Sequence, residues 1–195
     1  MRRSVILYFR IPNVVRHAPV QLKQTALKPQ DLLMAGRVAM ATAGDSLTFA
    51  TLAASLNLSA SEAHASVQRG QASGLLVREF GELRANRVAL MEFIVHGLKY
   101  AFPPVFGPVT TGCPTAGSAP PLAAAFAAAD DLRVVWPDKD GTTRGIALCP
   151  LYPTVPEAAR RDRRLYEVMA LIDAIRAGAS RERELAHQHL PRYFA

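Results

Sequence analysis

The segment from Thr48 to Leu76 carries two helix-capping signals separated by the length of one short helix. Thr48 can accept a hydrogen bond from the backbone at the start of a first helix. Ser59 is followed three residues later by Glu62, which is the spacing of a capping box at the start of a second helix. Asn57 lies between the two signals, and asparagine adopts the left-handed backbone of a sharp turn more readily than most residues. The segment therefore predicts two short helices joined by a tight turn.

The apolar residues of this segment have the spacing needed to pack the two helices against each other. The inward positions are Leu52, Ala53 and Leu56 in the first helix, Leu58 in the turn, and Ala63 and Val67 in the second helix. Gly74 ends the second helix before an apolar stretch, and Gly81-Glu82 can turn that stretch back on itself. This is the spacing of a helix-turn-helix followed by a wing, a motif that reads DNA.

These positions resemble the winged helix-turn-helix of bacterial transcription regulators of the MarR-like or IclR-like kind. The resemblance covers roughly residues 29 to 86 and departs from the usual pattern at Gly70, where a large apolar residue generally packs the second helix. It departs mildly at Asn57, where many such turns have glycine. The resemblance implies double-stranded DNA as the partner. A helical hairpin inside a bundle that never touches DNA is the alternative.

Within this resemblance, the exposed side chains of the second helix are the predicted readers of base pairs. Because Ala63 and Val67 face inward, the outward positions are Ser61, His64, Ala65, Gln68 and Arg69. Glutamine can pair with adenine and arginine with guanine in the major groove. The two capping residues, Thr48 and Ser59, and the base Lys28 complete the predicted DNA-binding set.

The whole chain is predicted to be mainly α, in the α+β class, with an N-terminal winged helix-turn-helix and a smaller, mostly helical C-terminal lobe that can contain a hairpin. Its segments are a basic arm (1–28), the winged helix-turn-helix with a long helix (29–102), a Pro/Gly-rich connection (103–121) and the C-terminal lobe (122–195). The long helix, from Asn86 to about Phe102, is apolar nearly all round. We therefore expect it to be buried and to join two subunits of a homodimer.

The formal net charge of +7 comes almost entirely from the N-terminal arm. Residues 1–28 contain no acid and six bases, namely Arg2, Arg3, Arg10, Arg16, Lys23 and Lys28. Such an arm can contact phosphates or enter a minor groove. A solvated tail, or sequence upstream of the true start, is the alternative. The basic residues of 160–164 are either a solvated helix face or a second contact with the DNA backbone.

Proline and glycine occupy nine of the nineteen positions from 103 to 121. Such a composition predicts neither a helix nor a central strand, and it leaves a flexible linker or an ordered loop. Beyond this segment, the sequence predicts a short Ala-rich helix (121–129) and a hairpin of strands 133–136 and 142–148. A helix from Pro156 to Gly178 and a last helix from Ser180 follow.

The residues that usually carry catalysis or metal binding are not arranged in any familiar motif. The sequence lacks the GxSxG, GxxxxGK[ST] and HExxH patterns, and its two cysteines, Cys113 and Cys149, belong to no Cys/His cluster. We therefore expect no catalytic residues, no metal and no cofactor. No apolar run reaches the ~20 residues that a membrane span needs, so a cytoplasmic protein without membrane contact is expected.

The predicted function is a DNA-binding transcription regulator, a homodimer that represses by occupying an operator. The stretch 171–186 weakly resembles small regulators that are encoded beside toxin partners. The alternative is therefore an antitoxin-like or scaffold protein whose C-terminal lobe binds a protein partner encoded nearby. A third alternative is an enzyme whose site lies around 103–121 and uses Cys113 or His96.

Overall fold

The structure, a computed structural model, describes residues 25–126 and 133–194 as a mixed α+β fold in which helices predominate. Its helices are α1 (Pro29–Ala39), α2 (Phe49–Leu56), α3 (Ala60–Ala72), α4 (Arg87–Glu92), a π-helical turn (Phe93–Gly97), α5 (Leu98–Ala101), α6 (Val155–Arg161), α7 (Arg163–Ala177) and α8 (Ser180–His189). Its strands are β1 (Leu76–Glu79), β2 (Glu82–Ala85), β3 (Phe106–Pro114), β4 (Val134–Pro137) and β5 (Thr143–Leu148). Short 3-10 turns cover Ala116–Ser118, Ala123–Ala125 and Leu190–Tyr193.

Two predictions concern residues that the structure does not describe. Residues 1–24 of the basic arm lie outside the described residues. The Ala-rich helix predicted for 121–129 is described only to residue 126, and that part contains the 3-10 turn Ala123–Ala125 in place of an α-helix.

The caps predicted for α2 and α3 are confirmed. The Thr48 hydroxyl accepts the backbone N–H of Thr51 at 3.2 Å. Asn57 ends α2 with φ 53°, in the left-handed region. The Ser59 hydroxyl accepts the N–H of Glu62 at 3.2 Å, and the Glu62 carboxylate accepts the N–H of Ser59 at 2.9 Å. These bonds satisfy backbone groups that a helix start would otherwise leave unpaired.

Strands β1 and β2 form an antiparallel hairpin with Glu79 opposite Glu82. The two residues between them, Phe80 and Gly81, both have positive φ, 51° and 86°, which is the two-residue type I′ turn that matches strand twist. Leu76 of β1 packs over Gly70 of α3. A Cβ atom at Gly70 would come within 2.7 Å of the Leu76 side chain, so the missing apolar residue on α3 is replaced by a leucine from the strand.

The helix predicted for residues 86–102 is present, but the prediction that it is buried all round is wrong. Leu90, Ile94 and Leu98 are at most 1% exposed and pack into the core. Val88 and Tyr100 are 80% and 75% exposed. The apolar residues on the two sides of the helix therefore have different environments, because only one side faces the neighbouring helices.

Strand β3 corrects the prediction for 103–121, because residues 106–114 form a strand that is paired on both sides in a small closed sheet. It pairs antiparallel with both β4 and β5. Pro108 lies in an irregularity of the ladder between Phe106 and Val109, where its missing N–H interrupts no regular pairing, and Pro114 is the last residue of the strand. Gly112 is required by close approach, since a Cβ atom there would lie 1.9 Å from the Trp136 carbonyl oxygen.

The hairpin predicted for β4 and β5 is also wrong, because these two strands pair in parallel. Gly112 of β3 is opposite Pro137 on one edge and opposite Thr143 on the other. The chain between β4 and β5 therefore crosses from one edge of β3 to the other. Both strands then run in the same direction. The first residue of β4, Val134, pairs with Ile146 of β5, and this pairing closes the sheet.

A single continuous core connects the two predicted lobes. Helix α7 lies at its centre and contacts α1, α5, α6 and α8. The helix predicted from Pro156 to Gly178 is interrupted at Asp162, whose carboxylate accepts the N–H of Leu165 at 3.1 Å and starts α7. Among the described residues, no helix is both long enough and apolar enough to cross a membrane.

Candidate nucleic-acid interface

Helix α3 has one face open to solvent and the opposite face buried. Ser61, His64 and Gln68 are exposed, and their spacing of three and four residues places them on the same side of the helix. Ala63 and Val67 are fully buried on the other side, and Ala65 is half-buried at the edge. We call Ser61, His64 and Gln68 the outward stripe of α3.

The ring of Phe49, the first residue of α2, packs edge-on against His64 in this stripe. The two ring centroids are 5.0 Å apart and the planes are inclined by 63°. This contact favours one orientation of the imidazole on the outside of α3.

Arg69 does not belong to the outward stripe, so the prediction that it faces outward beside Gln68 is wrong. Its Nε and Nη2 donate to Oδ2 and Oδ1 of Asp31 at 2.8 and 2.7 Å. The Asp31 side chain is fully buried and the Arg69 side chain is 14% exposed. Hydrogen bonding to Asp31 raises the pKa of Arg69. This bidentate pair joins α3 to α1 and leaves the guanidinium unavailable to a base edge.

The remaining predicted residues are held at helix starts. Lys28 immediately precedes α1 with an exposed side chain, and its backbone N–H donates to Asp31 at 2.8 Å. The Thr48 and Ser59 hydroxyls are both occupied by capping bonds. These capping bonds position α2 and α3. Of Lys28, Thr48 and Ser59, only Lys28 has a charged side chain.

The start of α3 is tied to the C-terminal half of the chain, a feature that the sequence did not predict. The Tyr152 hydroxyl donates to the Glu62 carboxylate at 2.9 Å. The amide of Asn57 donates to Glu157 of α6 at 2.7 Å. Hydrogen bonds from Ser59 and then from Tyr152 lower the pKa of Glu62, while burial and Glu62 raise the pKa of Tyr152. The outward stripe remains exposed in the presence of these contacts.

The β1–β2 hairpin is charge-balanced and has an aromatic tip. Phe80 at the tip is fully exposed. Arg84 pairs with Glu82 at 3.0 Å and lies 3.9 Å from Glu79, and Arg78 donates to the carbonyl of Gly81 at 3.0 Å. An open groove of about 830 Å³ separates the hairpin from the 41–48 connection between α1 and α2.

The basic residues of 160–164 are largely neutralised by carboxylates. Arg160 pairs with Asp138, and Arg163 pairs with Glu167 at 3.0 Å. Arg161 pairs with Glu157, the same residue that accepts from Asn57. These contacts favour a paired helix face over a free contact with the DNA backbone.

A cluster of polar side chains is buried in the C-terminal half of the chain. Asp173 accepts Trp136 Nε1 at 2.6 Å and the Thr115 hydroxyl at 3.0 Å, and it lies 2.8 Å from Arg176 Nη2. Burial raises the pKa of Asp173, and Arg176 opposes that effect. Arg176 also donates to the carbonyl of Cys149 at 2.8 Å. The cluster connects β4, α7 and the end of β5.

The two residues of the enzyme alternative lie in different elements, Cys113 in β3 and His96 in the π-helical turn. Burial raises the pKa of Cys113, which keeps the thiol in its less nucleophilic form. The neighbouring Tyr166 donates to the carbonyl of Pro114 at 2.9 Å. His96 is exposed on the outside of the π-helical turn. Within residues 25–126 and 133–194, no three His, Cys, Asp or Glu side chains converge as metal ligands would.

Comparisons with protein-family models, with curated proteins and with solved structures gave no match.

Proposed function

We propose that the chain is a sequence-specific DNA-binding regulator of the winged helix-turn-helix class, with α3 as the helix that enters the major groove. The observation that carries the proposal is the outward stripe of Ser61, His64 and Gln68 on a helix that begins with a capping box. The β1–β2 hairpin follows α3 directly in the chain, and this order of elements supports the proposal. The tie between Glu62 and Tyr152 fixes the helix without covering the stripe.

The side chains of the stripe suit hydrogen bonding to DNA bases more than electrostatic attraction to phosphates. A glutamine amide can donate to and accept from adenine in the major groove, and serine and histidine can each make a single hydrogen bond to a base edge. The stripe itself carries no permanent charge. Contacts with phosphates would therefore come from basic residues that flank the stripe, of which Lys28, Arg78 and Arg87 are exposed.

The test is a selection of bound fragments from random double-stranded DNA at a stated salt concentration, followed by titration of the selected operator. Gln68→Ala should weaken the operator by about 1–3 kcal/mol and relax the preference at one or two base pairs. Gln188→Ala, on the exposed side of α8, is the matched control and should change neither quantity. An unaltered preference in both Gln68→Ala and His64→Ala would exclude α3 as the reader.

A homodimer is the second part of the proposal, since regulators of this kind bind two half-sites. Val88 and Tyr100 are the exposed apolar residues of the helix that follows the hairpin. Tyr100→Asp should shift the chain towards monomer in sedimentation and remove cooperative operator binding. Ile94→Asp is unsuitable for this purpose, because Ile94 is 1% exposed in the core of its own chain. A monomeric unaltered protein at micromolar concentration would contradict the homodimer.

A second candidate function, binding of a protein partner in the manner of an antitoxin or scaffold, has one observation in its favour. Val109 and Val134 are both direct cross-strand neighbours of Ile146 and so share one sheet face. Phe106 and Val109 on that face are 50% and 41% exposed. Val109→Lys should abolish binding of a protein encoded beside this chain while leaving fragment selection unchanged. Loss of fragment selection in Val109→Lys would instead connect this face to DNA.

A further inference from the structure

A small pocket separates the helix that follows the hairpin from the last helix of the chain. Its volume is about 280 Å³. Val95 and Ile175 form its apolar part, and Lys99, Arg183, His187 and Glu184 supply its polar part. The pocket thus draws residues from the π-helical turn, α5, α7 and α8.

The polar part of this pocket is mainly basic. Lys99, Arg183 and His187 contribute three nitrogen groups against the single carboxylate of Glu184. Within the part of the chain that the structure describes, none of these three bases pairs with a carboxylate. The pocket therefore brings together three basic side chains and one acidic side chain, and its basic groups outnumber its carboxylate.

Two of these bases are held in position. Arg183 donates to the Gly178 carbonyl at 2.8 Å and lies 3.2 Å from the Ser180 hydroxyl, which fixes its guanidinium at the turn between α7 and α8. The Lys99 ammonium lies 4.8 Å from the centre of the Tyr100 ring. Such restraint lowers the entropy that would be lost when a ligand binds.

The wall that carries Val95 is the π-helical turn itself. Here the N–H of Leu98 bonds to the carbonyl of Phe93, five residues back. A Cβ atom at Gly97 would lie 2.9 Å from the Phe93 ring, so glycine is needed for the ring to pack there. Single π-helical turns inside α-helices occur frequently at functional sites. The one irregular turn in this described helix therefore coincides with the basic pocket.

We propose that this pocket binds a small organic anion, a carboxylate or phosphate monoester with an apolar body. The acidic group would lie between Lys99 and Arg183, with His187 beside it, and the apolar body would lie on Val95 and Ile175. At roughly 30 Å³ per water the pocket holds the volume of about nine waters, which fits a ligand on the order of ten non-hydrogen atoms. This binding is independent of DNA and goes beyond the proposed function.

The test is titration calorimetry of the full chain with phenyl phosphate as the probe, at constant ionic strength. Lys99→Met should weaken binding by about tenfold, because a hydrogen-bonded charge is removed. Arg192→Gln also removes one positive charge, from the exposed C-terminal turn, and should leave binding unchanged. Benzyl alcohol, which has the ring without the charge, should bind at least about tenfold more weakly.

A second measurement needs no variant. Nuclear magnetic resonance of the histidine rings should show the His187 signal moving as phenyl phosphate is added, while the His64 signal on α3 stays in place. Absence of binding at millimolar phenyl phosphate would overturn the proposal. Equal binding by Lys99→Met and the unaltered chain, or a stationary His187 signal, would place the anion elsewhere and overturn it as well.

Discussion

Replacing Arg69 with methionine distinguishes a structural arginine from a DNA-reading arginine. In the structure, the guanidinium supplies two of the three donors that reach the Asp31 carboxylate, and the backbone N–H of Lys28 supplies the third. Methionine preserves most of the apolar stem but removes both guanidinium bonds. The substitution therefore leaves a fully buried carboxylate with one remaining donor.

The expected loss of stability follows from this geometry. Removing one partner of a buried ion pair costs about 3–5 kcal/mol. Because the Arg69 side chain is 14% exposed, water can partly replace it, and we expect the lower end, about 3 kcal/mol. For a chain of this size each kcal/mol lowers Tm by about 2–4 °C, so the variant should melt roughly 6–12 °C below the unaltered protein.

The assay is urea unfolding followed by tryptophan fluorescence. The chain has a single tryptophan, Trp136, whose side chain is fully buried and hydrogen-bonded to Asp173. Gln68→Met is the matched control, because Gln68 is the preceding residue of α3 and is exposed. The control should change the free energy of unfolding by less than about 0.5 kcal/mol.

A double variant completes the experiment. With Asp31→Asn in place, the buried charge is gone, and Arg69→Met should then cost less than it does alone by about 1 kcal/mol or more. The opposite pattern would refute the reasoning. If Arg69→Met left the unfolding midpoint unchanged and altered the preferred bases of the operator, Arg69 would be a reader and the ion pair would not form.

Three further perturbations have defined outcomes. Because hydrogen bonds lower the pKa of Glu62, its contribution is complete above the ordinary value of 4.5 and is lost as the pH falls through the folded-state pKa, so Glu62→Gln should flatten the pH dependence of urea unfolding below about pH 4.5. Gly112→Val should prevent formation of the closed sheet, because its side chain would meet the Trp136 carbonyl, whereas Gly107→Ala should lose less than about 1.5 kcal/mol in the same unfolding assay. Deleting residues 1–24 should reduce the logarithmic salt slope of DNA binding by about 0.9 for each phosphate that the arm neutralises, with the preferred operator unchanged, and an identical slope would show that the arm neutralises none.

The local features of α2 and α3 could be predicted from the sequence because their causes act over a few residues. Thr48 caps a backbone N–H three residues away, and Ser59 and Glu62 cap each other over the same distance. Asn57 adopts its left-handed conformation for reasons that lie within the residue itself. Such signals require no knowledge of the rest of the fold.

The environment of Arg69 could not be predicted from nearby residues in the same way. Arg69 follows Gln68 in α3 and lies about 100° further round the helix, and apolar periodicity alone predicts that both face outward. Their separation depends on Asp31, which is 38 residues away from Arg69 in the sequence. An acid within the apolar stripe of α1 was the available signal, because a buried carboxylate requires a partner.

The sheet was mispredicted because tertiary contacts override composition there. Proline and glycine weaken an isolated strand, yet Gly112 is the residue that lets the chain cross over β3 at close range. A side chain at Gly141 would lie 2.3 Å from the backbone of Gly112, so both glycines are needed at the crossing. From composition alone, these glycines predict an interrupted strand. In the closed sheet they allow two backbone segments to come into close contact.

The distribution of charge bears on how the proposed DNA binding would work. Arg69, Arg84 and Arg160 are all paired with carboxylates, and the outward stripe of α3 is neutral. Non-specific affinity for DNA depends on basic side chains along the phosphates, and the exposed Lys28, Arg78 and Arg87 would supply it here. Discrimination would then rest on hydrogen bonds from Gln68 and its neighbours, and the ratio of operator to random-DNA affinity should persist as salt rises even though both affinities fall. A ratio that collapses with salt would mean that electrostatic attraction, and not the stripe on α3, selects the site.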